Sequence, residues 1–157
     1  MKKIILISIL SIFSKFVNAQ EIKWMSFNDA LAEQKLNGKQ ILMMSTVKDN
    51  NPFTLNYMSK INSNKNLFEF ISEKYLAVKF DVLGNEIVNF HGITYSNPKS
   101  EHTKTKLSED NRNQFSKNVL KNDICPSVYI IETNGTISKP IIGMTESNKL
   151  LEILKNN

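Results

Sequence analysis

The sequence contains a single cysteine, Cys125, among its 157 residues. One cysteine excludes a disulfide-stapled scaffold, a cysteine-rich zinc site and any redox motif that needs two thiols in one molecule. Five glycines and four prolines exclude a collagen-like or low-complexity chain. Arginine is also scarce, since Arg112 stands alone and no basic stripe accompanies it. Bidentate contacts to nucleic acid are therefore nearly ruled out, and we expect no nucleic-acid partner.

Motifs of several enzyme classes are missing as well. The sequence has no Gly-x-Ser-x-Gly, no His-Glu-x-x-His and no glycine-rich loop for phosphate, so hydrolases and nucleotide-dependent enzymes have no support. The two histidines are His91 and His102, and a metal site would need Glu101, Asp110 or Cys125 beside them. Nothing in the spacing of these residues demands such a site. We therefore predict neither a metal nor a cofactor.

Residues 1–19 have the pattern of a secretory signal peptide. Two lysines precede an apolar run of about ten residues, and Val17 and Ala19 supply the small residues that a signal peptidase requires. The run is too short for a helix that spans a hydrocarbon core about 30 Å thick. We expect an exported, soluble mature chain that begins at Gln20 and keeps no stable membrane anchor. Losing the three lysines of the signal lowers the formal net charge of +5 by three.

The full sequence is 41% hydrophobic and 22% charged, a composition typical of globular proteins, and its length predicts one domain, here residues 20–157. The sequence predicts a short extended segment at 21–25, and hydrophobic periodicity predicts strands at 41–46, 75–82, 128–132 and 136–143. A tight turn at Asn134-Gly135 joins the last two. Capping residues and periodicity indicate helices that start at Ser26, Pro52, Asn64 or Asn66, Glu109 and Thr145. Gly38 is a natural stop for the first of them.

This order of elements predicts an α/β fold with a central mixed sheet and helices on both faces, in the order β-α-β-α-β-α-β-β-α. Residues 84–109 are polar and longer than an ordinary connection. We interpret them as an irregular surface insertion before the third core helix.

Four stretches together resemble secreted bacterial thioredoxin-like proteins. Residues 38–42 (GKQIL) are similar to the strand that precedes the active site of that family, and residues 75–81 (YLAVKFD) to its third strand. Residues 89–95 (NFHGITY) are similar to an insertion found in one subset of the family. Residues 124–130 (ICPSVYI) resemble its Tyr-Pro-Thr segment, whose proline is cis and faces the active site. The resemblance covers nearly all of the chain after the signal and implies a thioredoxin-like fold.

The same resemblance locates a vacated active site. In the family, two cysteines separated by two residues stand at the N-terminus of the helix that follows the GKQIL-like strand. The corresponding residues here are Asn50, Asn51, Pro52 and Phe53, and Met44 takes the place of a buried carboxylate. Dithiol exchange within one chain is therefore chemically impossible.

What the resemblance leaves is a helix N-terminus opposite Cys125 and Pro126, which forms a groove in the family for an extended peptide. Amides at such a terminus favour carbonyl or carboxylate oxygens, and Asn50 and Asn51 add uncharged donors and acceptors. We expect a binding module of the cell envelope, periplasmic or secreted, whose partner is a protein or an extended peptide. In the simpler alternative, Asn50 and Asn51 only form a turn and a helix cap.

Two other functions stay open at this point. Cys125 could serve as the single thiol of a disulfide oxidoreductase or isomerase, although an isolated cysteine is more often a small buried apolar residue. Alternatively, the insertion 84–109 could be the functional surface, with the thioredoxin-like framework only displaying it.

Overall fold

The computed structural model describes residues 21–48, 51–97 and 111–157. Four strands form the main sheet of the described chain, and two more form a separate hairpin. None of the helices in these three ranges is long and apolar enough to cross a membrane. The predicted signal peptide lies outside the described residues and stays a prediction.

The first helix and strand follow the sequence signals closely. Helix α1 (Phe27–Asn37) begins where the Ser26 side chain accepts a hydrogen bond from the Asp29 N–H at 3.2 Å. It ends at Gly38, whose left-handed φ of 69° lets its N–H donate back to the last turn. Strand β1 (Gln40–Thr46) is buried along almost its whole length, as expected for an interior strand.

Two consecutive helices then lead to the second strand. Helix α2 (Pro52–Ser63) starts at the predicted proline, and helix α3 (Lys65–Lys74) follows after one residue. That residue, Asn64, accepts from the Leu67 N–H at 3.0 Å, which confirms it as the cap of α3. Strand β2 (Tyr75–Asp81) comes directly afterwards.

The interpretation of residues 84–109 as irregular surface is wrong for their first part. Strands β3 (Val88–Phe90) and β4 (Ile93–Tyr95) form an antiparallel hairpin closed by His91 and Gly92. Both turn residues have positive φ, 51° and 75°, as the tight turns favoured in hairpins require. The hairpin is anchored because Val88 and Phe90 of β3 are buried in the core. Residues 98–110 lie outside the described residues.

The third core helix is shorter than predicted. It begins at Gln114 and continues as a π-helical turn at Ser116–Leu120. The sequence pattern indicated a helix from Glu109, which lies outside the described residues. Asn113 delays the start because its Oδ1 accepts from the Phe115 N–H at 2.9 Å. Its amide nitrogen meanwhile donates to the carbonyl of Glu86 at 2.8 Å, which ties this helix to the segment before the hairpin.

The returning strand of the last hairpin is also interrupted. Strand β5 (Ser127–Ile131) pairs with only two residues of β6 (Ile141–Ile142), not with the predicted 136–143. Ile131 bridges to Ile137 whereas Val128 pairs with Ile141, so the returning chain carries one extra residue. A bulge of this kind is expected next to Pro140, which has no N–H for the ladder.

The last helix has its N-cap one residue later than expected. Helix α4 (Ser147–Lys155) has Glu146 at its N-cap position, with no side-chain cap hydrogen bond. Thr145 is not the cap residue, because the first carbonyl of the helix ladder is that of Glu146, which accepts from the Leu150 N–H at 2.8 Å. The Thr145 N–H donates to the Gly143 carbonyl at 3.0 Å in a separate turn.

Strand β1 lies at the centre of the main sheet, which has the order β2-β1-β5-β6. It runs parallel to β2 and antiparallel to β5, so the predicted mixed sheet is confirmed. The extended segment predicted at 21–25 contributes only a single bridge, from Met25 to Val78. Its side chains alternate between two cores. Met43 packs with α1 and the hairpin on one face, and Met44 packs with α2, α3 and α4 on the other.

Candidate functional site

The carboxyl end of β1 and the amino end of β5 meet at one end of the sheet. Ser45 pairs with Ser127 across the two strands, and the Ser127 N–H donates to Ser45 Oγ at 3.2 Å. Because α2 follows β1 and Pro126 directly precedes β5, this pairing places the start of α2 and Pro126 at the same end of the sheet. We call this end, with residues 51–53, 124–127 and 142–144, the proline end.

The N-terminus of α2 is largely satisfied by its own residues. Asn51 Oδ1 accepts from the Phe53 N–H at 2.9 Å, and the Asn51 carbonyl accepts from the Leu55 N–H at 3.0 Å. Pro52 has no N–H to offer. Asn51 is therefore a helix cap, as in the simpler of the two sequence interpretations, and few amides are left to bind an anion. Asn50 lies outside the described residues.

Cys125 is half-buried, and the peptide bond that joins it to Pro126 is cis. Its thiol packs against the core on the α1 face of the sheet, where its S–H donates to Ser45 Oγ at 3.7 Å. Burial raises the pKa of the Cys125 thiol, and the contact with Ser45 opposes this rise only in part. Since α2 packs on the opposite face, the thiol points away from the helix that carries Asn51 and Phe53.

A network of polar side chains holds the segment before Pro126. The Asn122 side chain accepts from the Ile124 N–H at 3.1 Å and donates to Ser127 Oγ at 3.0 Å. Ser127 Oγ in turn donates to the Ile124 carbonyl at 2.7 Å. Arg112 donates to the Asp123 carboxylate and to the Asn122 carbonyl. Sequence reasoning missed Asn122 and Ser127, because no local motif marks either residue.

Met44 lies beside the proline end, at the position where the family resemblance implies a buried carboxylate. Met44 is fully buried on the α2 face, packed in the same core as Tyr57 and Val128. A methionine neither carries a proton nor changes charge. This position therefore gives the site no proton donor or acceptor.

Exposed apolar side chains surround Pro126, which is itself buried. Ile124 is 50% exposed, Ile142 51% and Met144 45%, and the Gly143 N–H donates to the Pro126 carbonyl at 2.9 Å. Phe53, in the first turn of α2 at this end of the sheet, is 66% exposed. Half of the eight large apolar side chains that are exposed in the described ranges lie here.

The histidines do not join this site. His91 lies in the β3–β4 turn, and its Nε2 donates to the Gly135 carbonyl at 3.4 Å. His102, Glu101 and Asp110 lie outside the described residues. Within residues 21–48, 51–97 and 111–157, no group of three or more His, Cys, Asp or Glu side chains could hold a metal ion.

Three solved structures are similar to this chain. A thioredoxin from Thermus thermophilus aligns with a TM-score of 0.59 at 10% identity, over 87% of this chain and 86% of that one. A DsbH oxidoreductase aligns with a TM-score of 0.58 at 17% identity, over 91% and 88%. The C-terminal domain of Neisseria meningitidis DsbD, in its oxidised form, aligns with a TM-score of 0.51 at 12% identity, over 86% and 99%.

No protein-family model matches the sequence, and no curated protein is significantly similar to it. At these low identities the solved structures establish the architecture alone. The chain has a thioredoxin fold, as its sequence resemblance implied.

Proposed function

We propose that this chain is an exported thioredoxin-like protein that binds extended polypeptide segments and performs no disulfide chemistry. The observation that carries the proposal is the set of exposed apolar side chains around Pro126. Contiguous exposed apolar surface is a mark of protein-interaction sites, whereas scattered apolar residues are ordinary. Such a surface is offered around Pro126 by three side chains: Ile124, Ile142 and Met144.

The backbone beside these side chains supports an extended partner. Among the described residues, the N–H and C=O of Cys125 make no hydrogen bond with another group. An extended peptide could pair with both, while its side chains pack on Ile124 and Met144. Backbone pairing of this kind is tolerant of sequence, so we expect affinity for unfolded segments rather than for one folded partner.

The absence of disulfide chemistry follows from composition and burial. A second thiol is missing from the sequence, so no intramolecular disulfide can form. The raised pKa of Cys125 keeps its thiol protonated at neutral pH, and the thiolate is the reactive species. Export is proposed from the signal-like pattern of residues 1–19.

Chemical-shift mapping with a permanently unfolded, thiol-blocked polypeptide tests the proposal. We expect saturable shifts in the amide signals of residues 53, 124–127 and 142–144, and equal binding by the Cys125→Ala variant. Ile124→Ser and Met144→Ser should each weaken binding several-fold. Leu36→Ser is the matched control, because Leu36 is 88% exposed on α1, away from this site, and its loss should change nothing. Shifts elsewhere, or none at millimolar probe, would overturn the proposal.

The single-thiol alternative is separated by alkylation of Cys125 as a function of pH. An activated nucleophile would react with an apparent pKa well below the free value of about 8.5. We expect an apparent pKa above that value, since burial disfavours the thiolate. A depressed value, together with disulfide turnover lost in Cys125→Ser, would instead favour the oxidoreductase.

A further inference from the structure

A cleft lies at the opposite end of the sheet from Pro126. It has a volume of about 400 Å³, within the range of ligand sites in proteins. We call it the turn cleft, since two hairpin turns and helix α1 form its walls. It is lined by Leu31, Gln34, Lys35, residues 89–92 and residues 133–135. The five residues of β5 separate it from the proline end by roughly 16 Å.

The two turns that form the cleft are fixed against each other. The His91 ring packs edge-on against Phe90, with ring centroids 4.2 Å apart, and donates to the Gly135 carbonyl. Gly135 has a φ of 84° and no room for a side chain, because a Cβ there would overlap the His91 ring. The walls are thus preorganised, which lowers the entropic cost of binding a small molecule.

One buried polar group at the cleft has an unused acceptor. Gln34 is only 6% exposed, and its Nε2 donates to the carbonyls of Lys39 at 3.0 Å and Ile131 at 3.2 Å. Its Oε1 accepts no hydrogen bond from any residue in the described ranges. With both amide protons committed, the oxygen of this side chain is the atom left for a ligand N–H.

The one lysine that lines the cleft provides a partner for an anion. Lys35 is exposed at its rim, and none of the described lining residues is Asp or Glu. Leu31 and Phe90 add an apolar surface beside these polar groups. A fitting ligand therefore combines a negative group, an N–H donor and an apolar substituent.

We propose that the turn cleft binds a free carboxylate that adjoins an amide N–H and an apolar side chain. This is the chemistry of an N-acylated amino acid and equally of a peptide C-terminus. Lys35 pairs with the carboxylate, Gln34 Oε1 accepts from the amide N–H, and the apolar side chain lies on Leu31. The inference does not depend on binding at the proline end.

Titration of the isotope-labelled chain with N-acetyl-leucine tests the proposal by NMR. We expect saturable shifts at residues 31–35, 89–92 and 133–135, with a dissociation constant near 1 mM. Three analogues each remove one feature: N-acetyl-leucinamide lacks the carboxylate, 4-methylpentanoate lacks the N–H, and N-acetylglycine lacks the apolar group. Each should bind about tenfold more weakly or worse. Equal binding by the leucinamide, or shifts outside the cleft, would overturn the assignment.

A protein variant and a peptide pair complete the experiment. Lys35→Met should weaken N-acetyl-leucine about tenfold, whereas Lys149→Met, an exposed lysine on α4, should leave it unchanged. Equal losses in both variants would indicate non-specific charge attraction and contradict the proposal. A short peptide that ends in leucine, with its C-terminal carboxylate either free or amidated, distinguishes the two ligand sources. If only the free form binds, the site also takes peptide C-termini. If neither form binds, the site is restricted to small acyl amino acids.

Discussion

Arg112 and Asp123 form an ion pair of unequal members. The Arg112 side chain is 8% exposed, and that of Asp123, which accepts from its guanidinium, is 75% exposed. Asp123 lies two residues before Cys125, so the pair braces the segment that leads into Pro126. Removing Asp123 leaves the buried Arg112 cation without its partner, which is costly. Removing Arg112 leaves the Asp123 carboxylate, which water solvates.

Asp123→Asn should destabilise the protein by about 1 kcal/mol, since it leaves the Arg112 charge buried against a weaker acceptor. Arg112→Met should change stability less, because the methionine keeps the packing of the stem and Asp123 stays in water. Urea denaturation measures both. In the Arg112→Met background, Asp123→Asn should cost almost nothing. An equal cost in both backgrounds would mean that the two residues do not interact.

Asn51→Ala should destabilise the protein by about 1 kcal/mol, because the Phe53 N–H then loses its acceptor at the start of α2. Asn51→Ser should retain most of the stability, since a hydroxyl also caps. Asn56, exposed in the middle of the same helix, supplies the control. Asn56→Ala should be neutral or slightly stabilising, as alanine favours a helix interior. If both alanine variants behave alike, Asn51 is not acting as a cap.

Tyr57 should make the protein sensitive to alkali. Burial raises the pKa of this phenol to about 12, and its hydroxyl makes no hydrogen bond in the described chain although Thr145 lies near it. As the pH rises, Tyr57 ionises in the unfolded chain near its ordinary pKa of about 10, and in the folded chain only at higher pH. Stability is therefore full below pH 10 and falls between pH 10 and 12.

Tyr57→Phe should flatten that decline, while it changes stability little at pH 7 because no hydrogen bond is lost. Chemical denaturation of both proteins at pH 7, 10 and 11 measures the difference. An equal loss in the two proteins across this interval would show that other groups control the alkaline limit.

Gly135→Ala should be destabilising for two separable reasons. The φ of 84° strains any residue with a Cβ, at a cost of about 1 kcal/mol, and the new Cβ collides with the His91 ring. His91→Ala removes the collision and leaves the backbone strain. We therefore expect a smaller cost for Gly135→Ala in the His91→Ala background, measured by thermal denaturation. Identical costs would indicate that the His91 ring does not rest on Gly135 in solution.

Local sequence signals were sufficient for most of the fold. Helices begin after the caps Ser26 and Asn64 and end before Gly38, as these residues predict. Capping can be predicted locally because it depends on neighbours three or four residues away. The signals failed where a distant contact decides. Phe90 lies in a polar stretch that gives no strand pattern. It is nevertheless buried, because Phe27 and Phe115 pack against it with ring centroids 5.9 and 5.4 Å from its own.

The candidate site divides in the same way. Its location followed from the family resemblance, which also singled out Cys125 and Pro126. The direction of the Cys125 thiol could not be predicted, because it depends on the pairing of Ser45 with Ser127, 82 residues apart in sequence. The support from Arg112 and Asn122 also arises only in three dimensions.

The central position of β1 has a consequence for slow motions. The amides of Leu42 to Met44 lie between two neighbouring strands, with a hydrophobic core on each face of the sheet. Their hydrogen exchange should therefore require the opening reactions of highest free energy. Ser45, at the end of this strand, is bonded to the residue after Pro126. The segment at Pro126 is thus bonded to the part of the chain that we expect to open last, so the peptide surface proposed here would be preorganised before binding.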